Sequence, residues 1–155
     1  MKFILLPTLL AGFVLVNGCS SSQKAASSSA TTTSKKGNIS HEMLDDNTFK
    51  LTAISDDTTY GYTQKNAIAV GGKLMSGPLN EQRFLNALTG PNGEAISYNR
   101  RGSCCTFKTP NGIMGGGLLD IYEVTWNGLA KPIVLYINMY DPGELKAPKG
   151  FTFKQ

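Results

Sequence analysis

The sequence predicts an α+β domain, with one helix packed on a mainly antiparallel sheet of about five strands. Three observations lead there. Short stretches rich in β-branched and aromatic residues recur from Thr48 onward, a single segment carries helical spacing, and two strong strand patterns flank an Asn-Gly turn near the C-terminus. At 155 residues the chain suits one domain. It is too short for a (β/α)8 barrel, which needs roughly 200 residues or more.

Residues 48–54 alternate in polarity, with Phe49, Leu51 and Ala53 on one face, and read as a strand. Tyr60-Gly61-Tyr62-Thr63 and Ala67-Ile68-Ala69-Val70 are short β-leaning pieces, the second closed by Gly71-Gly72. Asn80 reads as the N-cap of a helix whose apolar stripe is Phe84, Leu85 and Leu88, and Gly90-Pro91 ends it. Asn92-Gly93 then turns the chain into a strand over residues 94–99.

The C-terminal hairpin is the strongest pattern. Gly115-Gly116-Gly117 reads as a flexible entry to it, residues 118–126 and 133–140 as its strands, and Asn127-Gly128 as its turn. Pro132 precedes the second strand, where a missing N–H does least harm. Tyr122, Val124 and Trp126 share one face of the first strand; Leu119, Ile121, Glu123 and Thr125 share the other. The second strand is apolar on both faces, which places it centrally in its sheet. Leu135, Ile137 and Tyr122 are therefore expected among the most buried side chains, facing the helix stripe. No internal repeat is visible.

Ahead of this domain, which spans residues 42–155, the chain is of another kind. Lys2, about 14 apolar residues over positions 3–16 and a small residue before a break are the parts of a secretory signal, assigned to residues 1–18. A spanning helix needs roughly 20 apolar residues, and Asn17 comes too early. Val16-Asn17-Gly18-Cys19 resembles the bacterial lipobox, in which cleavage before the Cys is coupled to its acylation. That resemblance implies a lipidated Cys19 and a membrane as partner; Ser20, in place of Asp, resembles lipoproteins sent to the outer membrane. Residues 19–41 then form a lipidated Cys and a Ser/Thr-rich tether with too little apolar surface to offset its ordering entropy. Its r.m.s. span would be on the order of 25 Å.

The formal charge of +4 belongs to these leading segments. Lys2, Lys24, Lys35 and Lys36 all precede Ile39, and from there on 11 basic residues face 11 acidic ones. A nucleic-acid partner requires a basic stripe on the domain itself, and none is present.

Candidate chemistry is sparse. With Cys19 acylated, the adjacent Cys104 and Cys105 remain, and neighbouring Cα atoms lie about 3.8 Å apart, below the usual disulfide range. Three readings stand open: two packed thiols, a vicinal disulfide stiffening a loop, or a redox or metal role. No metal site is predicted, since there is no CxxC and the sole His41 sits beside the tether. A catalytic Cys would want a His base, and no GxSxG is present, so no catalytic residue and no cofactor is assigned. Arg100, Arg101 and Ser103 precede the Cys pair around Gly102, and two arginines on a Gly-Ser turn form a candidate cradle for phosphate or carboxylate. Asp45-Asp46 and Asp56-Asp57 read as surface turns.

Tyr60-Gly61-Tyr62-Thr63, Gly90-Pro91-Asn92-Gly93, Gly102-Ser103-Cys104-Cys105 and the run from Leu135 to Asp141 resemble a family of small bacterial lipoproteins, over about residues 58–153. Some members are labelled 2-dehydro-3-deoxyphosphooctonate aldolase. Enzymes of that name are (β/α)8 barrels, which this length and the antiparallel hairpin exclude, so no catalytic residues carry over. The sequence thus points to an envelope lipoprotein that binds an envelope protein or cell-wall component. The alternative is a periplasmic enzyme or redox protein using residues 100–105.

Overall fold

The computed structural model describes residues 40–72 and 76–155. The principal sheet has four strands. Ile68–Ala69 (β3), Ile133–Asn138 (β7), Gly116–Trp126 (β6) and Ile96–Ile113 (β5) lie side by side in the order β3-β7-β6-β5. The β5–β6 and β6–β7 pairs are antiparallel, whereas β3 runs parallel to β7. Two further ribbons stand apart, Met43–Asp45 (β1) with Thr48–Phe49 (β2), and Leu88–Thr89 (β4) with Thr152–Phe153 (β8). The expected sheet of about five antiparallel strands is thus a four-stranded mixed sheet plus two ribbons, and the domain is α+β with strands dominating.

The one α-helix among the described residues, α1, covers Gly77–Ala87. It begins three residues before Asn80, with Pro78 in the first turn, where its fixed φ fits and its missing N–H has no partner to lose. Asn80 is therefore not the cap. Its amide lies inside the first turn and donates to the Val70 carbonyl at 2.9 Å, fastening the helix to the end of β3. The helix stops ahead of Gly90-Pro91, because Leu88 and Thr89 leave it to pair with β8.

Residues 48–54 make a strand only at Thr48–Phe49. Farther on, Ser55 N–H donates to the Ala147 carbonyl and Ala147 N–H to that of Ala53, and the ladder ends there. Residues 60–63 are turns rather than strand. Asp57 accepts both the backbone N–H and the hydroxyl of Thr59, and this local capture outcompetes the β-leaning tyrosines.

The largest departure is β5. Residues 100–105, expected as a loop, are strand, and β5 runs on to Ile113. Three register shifts against β6 absorb the irregular residues, between Arg100 and Gly102, Cys104 and Thr106, and Lys108 and Ile113. Gly102 sits at φ +140°, a conformation that side chains rarely adopt.

The hairpin expectation holds with shifted ends. β6 starts two residues earlier than predicted, and β7 ends at Asn138 because its side-chain oxygen accepts the N–H groups of Tyr140 and Asp141. Gly128, in the turn, has φ +89°. One apolar cluster joins Phe84, Leu85 and Leu88 to Tyr122, Val124, Leu135 and Ile137, as the stripes require. Leu135 is fully buried while its neighbour Val134 is 38% exposed. Leu135→Ala should therefore cost about 2–5 kcal/mol out of a total of about 5–15, and Val134→Ala less than about 1 kcal/mol. Thermal denaturation of the two variants checks it; equal melting curves would misplace the core.

Candidate functional site

The two arginines do not form an open cradle. Arg100 faces Tyr122 across the β5–β6 ladder and makes a bidentate pair with Asp120, Nε to Oδ2 at 2.7 Å and Nη2 to Oδ1 at 2.8 Å. Ser103 closes the triangle, donating to Asp120 Oδ1 at 2.7 Å and accepting from Arg100 Nη2 at 2.7 Å. Arg101 falls at the first register shift and pairs separately with Glu123 at 3.0 Å. Both guanidinium groups are thereby matched by carboxylates of the neighbouring strand. The structure brings Arg100 and Ser103 together and sends Arg101 elsewhere.

Behind Asp120 lies a residue that the sequence reading missed. Glu81, on α1, is fully buried, and Tyr122 Oη donates to its Oε2 at 2.9 Å. Its Oε1 is the orphan, a buried oxygen with no donor directed at it. Burial, then the Asp120 charge, pushes the Glu81 carboxyl from its ordinary 4.5 up to about 8; Tyr122 and Arg100 oppose this but do not overcome it. At Asp120 burial is again the largest influence, yet hydrogen bonds from Arg100 and Ser103 outweigh it and hold that carboxyl below the usual range. The two environments separate the pair. Asp120 is ionised, while Glu81 holds its proton well above the usual carboxylate range, with the Asp120 carboxylate among the groups that keep it there. A signal for Glu81 was available: it stands three and four residues before Phe84 and Leu85, on the apolar stripe itself.

The cysteines occupy another part of the sheet. Cys104 and Cys105 are joined by a disulfide, with Cα atoms 3.7 Å apart, so of the three open readings the structure takes the vicinal bond. Cys105 lies in the left-handed region at φ 57°. Cys104 pairs with Leu119, on the sheet face away from Asp120 and Tyr122. Cys105, Phe107, Leu119, Asn138 and Lys65 line a half-open groove of about 390 Å³. Asn138 is already engaged there, its amide donating to Asp141 at 3.0 Å. The groove therefore offers a rigid disulfide, an aromatic edge and one lysine to a visitor.

His41 packs its ring 5.0 Å from that of Phe49 and places Nε2 3.3 Å from the Gly71 carbonyl, so it belongs to the domain rather than to a tether. Burial lowers its pKa, partly offset by that hydrogen bond. Asp45 and Asp57 accept from backbone N–H groups two residues ahead, as turn-forming side chains do. Among the described residues no group of three or more His, Cys, Asp or Glu is placed to hold a metal ion. Cys19 lies outside the described residues.

The buried proton has a measurable consequence. Native Glu81 keeps a proton that the unfolded chain releases above pH 4.5, so the contribution of this group to stability is full below that pH and is lost as pH rises toward about 8. Each pH unit in that window costs up to about 1.4 kcal/mol. Glu81→Gln preserves an acceptor for Tyr122 and a donor for Asp120 without a titrating proton. Its melting temperature should stay level from pH 5 to pH 9 while that of the wild type drops by on the order of 10 °C; parallel curves would show that the slope arises elsewhere. Comparisons with family models, curated proteins and solved structures return no match for the chain.

Proposed function

We propose that this chain is a membrane-anchored lipoprotein of the bacterial cell envelope, held by acyl groups on Cys19 and sorted to the outer membrane. Its domain acts as a non-enzymatic binding or structural module for an envelope protein or cell-wall component. The observation that carries this reading is the ordered series at the N-terminus: Lys2, the apolar run 3–16, Val16-Asn17-Gly18-Cys19, and then a polar Ser/Thr-rich stretch. The resemblance of residues 58–153 to small bacterial lipoproteins supports it. One chain on a Cys binds a bilayer only marginally, at about 0.8 kcal/mol per buried CH₂, and two or more attach it stably. The domain suits the role of a rigid module. Arg100, Arg101, Asp120 and Glu123 neutralise one another, and from Ile39 onward the charges balance.

The accompanying reading of the fold is a helix covering the antiparallel β5–β6–β7 part of the sheet. It is supported by Tyr122 reaching Glu81 and by Tyr98 Oη donating to Asn86 at 2.8 Å.

A second reading has one observation in its favour. The Cys104–Cys105 disulfide lines an open groove, which suits an envelope redox protein exchanging with a partner's dithiol. The partner's two thiols would become a disulfide as Cys104 and Cys105 become thiols, two electrons and two protons passing across. A redox role requires that wild-type protein oxidise a small dithiol and that Cys104→Ser/Cys105→Ser abolish this; no oxidation by the wild type excludes it.

For the anchor, Cys19→Ala should leave the melting curve of the domain unchanged and move the protein from the membrane to the soluble fraction. Detergent phase partition and sensitivity of processing to globomycin measure it. A Cys19→Ala protein found wholly in the membrane fraction would overturn the lipid anchor.

A further inference from the structure

The β5–β6 hairpin ends in two large apolar side chains with nothing around them. Ile113 is 87% exposed and Met114 fully so, whereas the other exposed large apolar residues of the described chain reach at most 43%. Single exposed aliphatic residues need no explanation, but two adjacent ones at the apex of a braced hairpin are different. The apex is braced by polar bonds beneath it. Thr109 N–H donates to the Gly115 carbonyl, and Thr109 Oγ1 and Asn111 Nδ2 both donate to Asp141 Oδ1, at 2.5 and 2.8 Å. Met114 at φ 55° and Gly115 at φ +77° make the reversal.

Two observations identify what this apex meets. The first is charge. From Cys104 to Leu119 the hairpin end contains a single charged residue, Lys108, and no carboxylate. The side chains of Ile113 and Met114 also bring no hydrogen-bonding groups that would need partners in a dry environment. The second is position. His41, where the segment leading back to Cys19 joins the domain, contacts the Gly71 carbonyl; Gly71 N–H donates to the Asp141 carbonyl; and the Asp141 side chain holds Thr109 and Asn111. The apical end of the hairpin and the entry of the leading segment thus share one end of the domain.

We infer that the Ile113–Met114 apex is a second membrane contact, dipping into the interfacial region of a phospholipid bilayer. The inference rests on the anchored reading only for bringing the bilayer within reach. An apolar pair entering the headgroup boundary adds a weak, reversible contact, and Lys108 favours anionic lipid. A tether alone leaves the domain free to turn; this contact fixes its orientation, with the Cys104–Cys105 groove on the flank of the same hairpin.

The test uses the full-length chain, wild type and Met114→Trp, mixed with vesicles of phosphatidylethanolamine and phosphatidylglycerol bearing brominated acyl chains. Wild-type emission from Trp126 is the background. The emission added at position 114 should shift to the blue and fall roughly twofold or more relative to unbrominated vesicles, as an interfacial depth of about 5–10 Å requires. Ile113→Trp, whose backbone is outside the left-handed region, repeats the measurement in case the first variant folds poorly. Protein that sediments with vesicles while both added signals remain unquenched overturns the apex contact and leaves the anchor standing. Protein that neither sediments nor quenches overturns both. Quenching with unlipidated Cys19 retains the apex contact and removes the anchor.

Discussion

Asp120 is the point at which three elements are joined. It comes from β6, is clamped by Arg100 and Ser103 from β5, and stands against Glu81 from α1. Burying two carboxyl groups together is costly, and a lone ionised one in an apolar core would be prohibitive. The arrangement works because the charges are unequal. One carboxylate receives a fork of guanidinium donors from a partly exposed Arg100, and the other carboxyl stays neutral and supplies a proton. Removing Arg100 alone would leave the buried Asp120 carboxylate with Ser103 as its remaining donor, at a cost below the roughly 3–5 kcal/mol of a fully buried pair because Arg100 is itself half exposed. Replacing the whole cluster with packed apolar residues need not be destabilising. Such a cluster contributes register: β5 can meet β6 in one way that brings Arg100 over Asp120, and α1 in one orientation that brings Glu81 beneath it.

That register matters because β5 is an edge strand. Among the described residues it is the longest strand and pairs on one side only, with β6, which would ordinarily leave a long template for pairing with another chain. Its sequence obstructs this. Gly102 at φ +140° and Cys105 at φ 57° break the run of edge hydrogen-bonding groups, and the register shifts turn the strand away from a flat edge. The Cys104–Cys105 bond ties two adjacent residues into one small ring at the second shift. The same irregularities that keep the edge from pairing shape the groove beside Cys105 and Phe107.

What was legible in the sequence follows from the range of the interaction behind it. Leu135, Ile137 and Tyr122 could be placed in the core because a strand apolar on both faces has few other homes, and the Asn127-Gly128 turn fixes its neighbour. The β3–β7 parallel pair and the β4–β8 ribbon join segments more than 60 residues apart and leave no local pattern. Strand β5 was hidden by its own composition, since Arg-Arg-Gly-Ser, Pro110 and Asn111-Gly112 are all loop signals, and only pairing with β6 overrides them. The candidate site divides the same way. Arginine and serine could be read as anion-binding by type, but the anions are Asp120 and Glu123, contributed by the next strand. The sulfur bond was one of three open readings, because adjacency permits it without requiring it.

The placement of polar and apolar groups separates structural from interactive surface. Charges that look functional on the page, Arg100, Asp120 and Glu81, are matched inside the fold, and a ligand would have to break that cluster to use them. The features left facing solvent are of another kind: a disulfide-lined groove and an apolar hairpin apex, both on the part of the β5–β6 hairpin from the second register shift onward. A long hairpin with a bonded sulfur pair on its flank and a braced reversal at its tip is stiff enough to act as a lever. Whatever docks at the apex therefore determines which way the groove faces. For a protein held to a surface by one residue, control over that direction separates a domain that merely dangles from one that presents a chosen side.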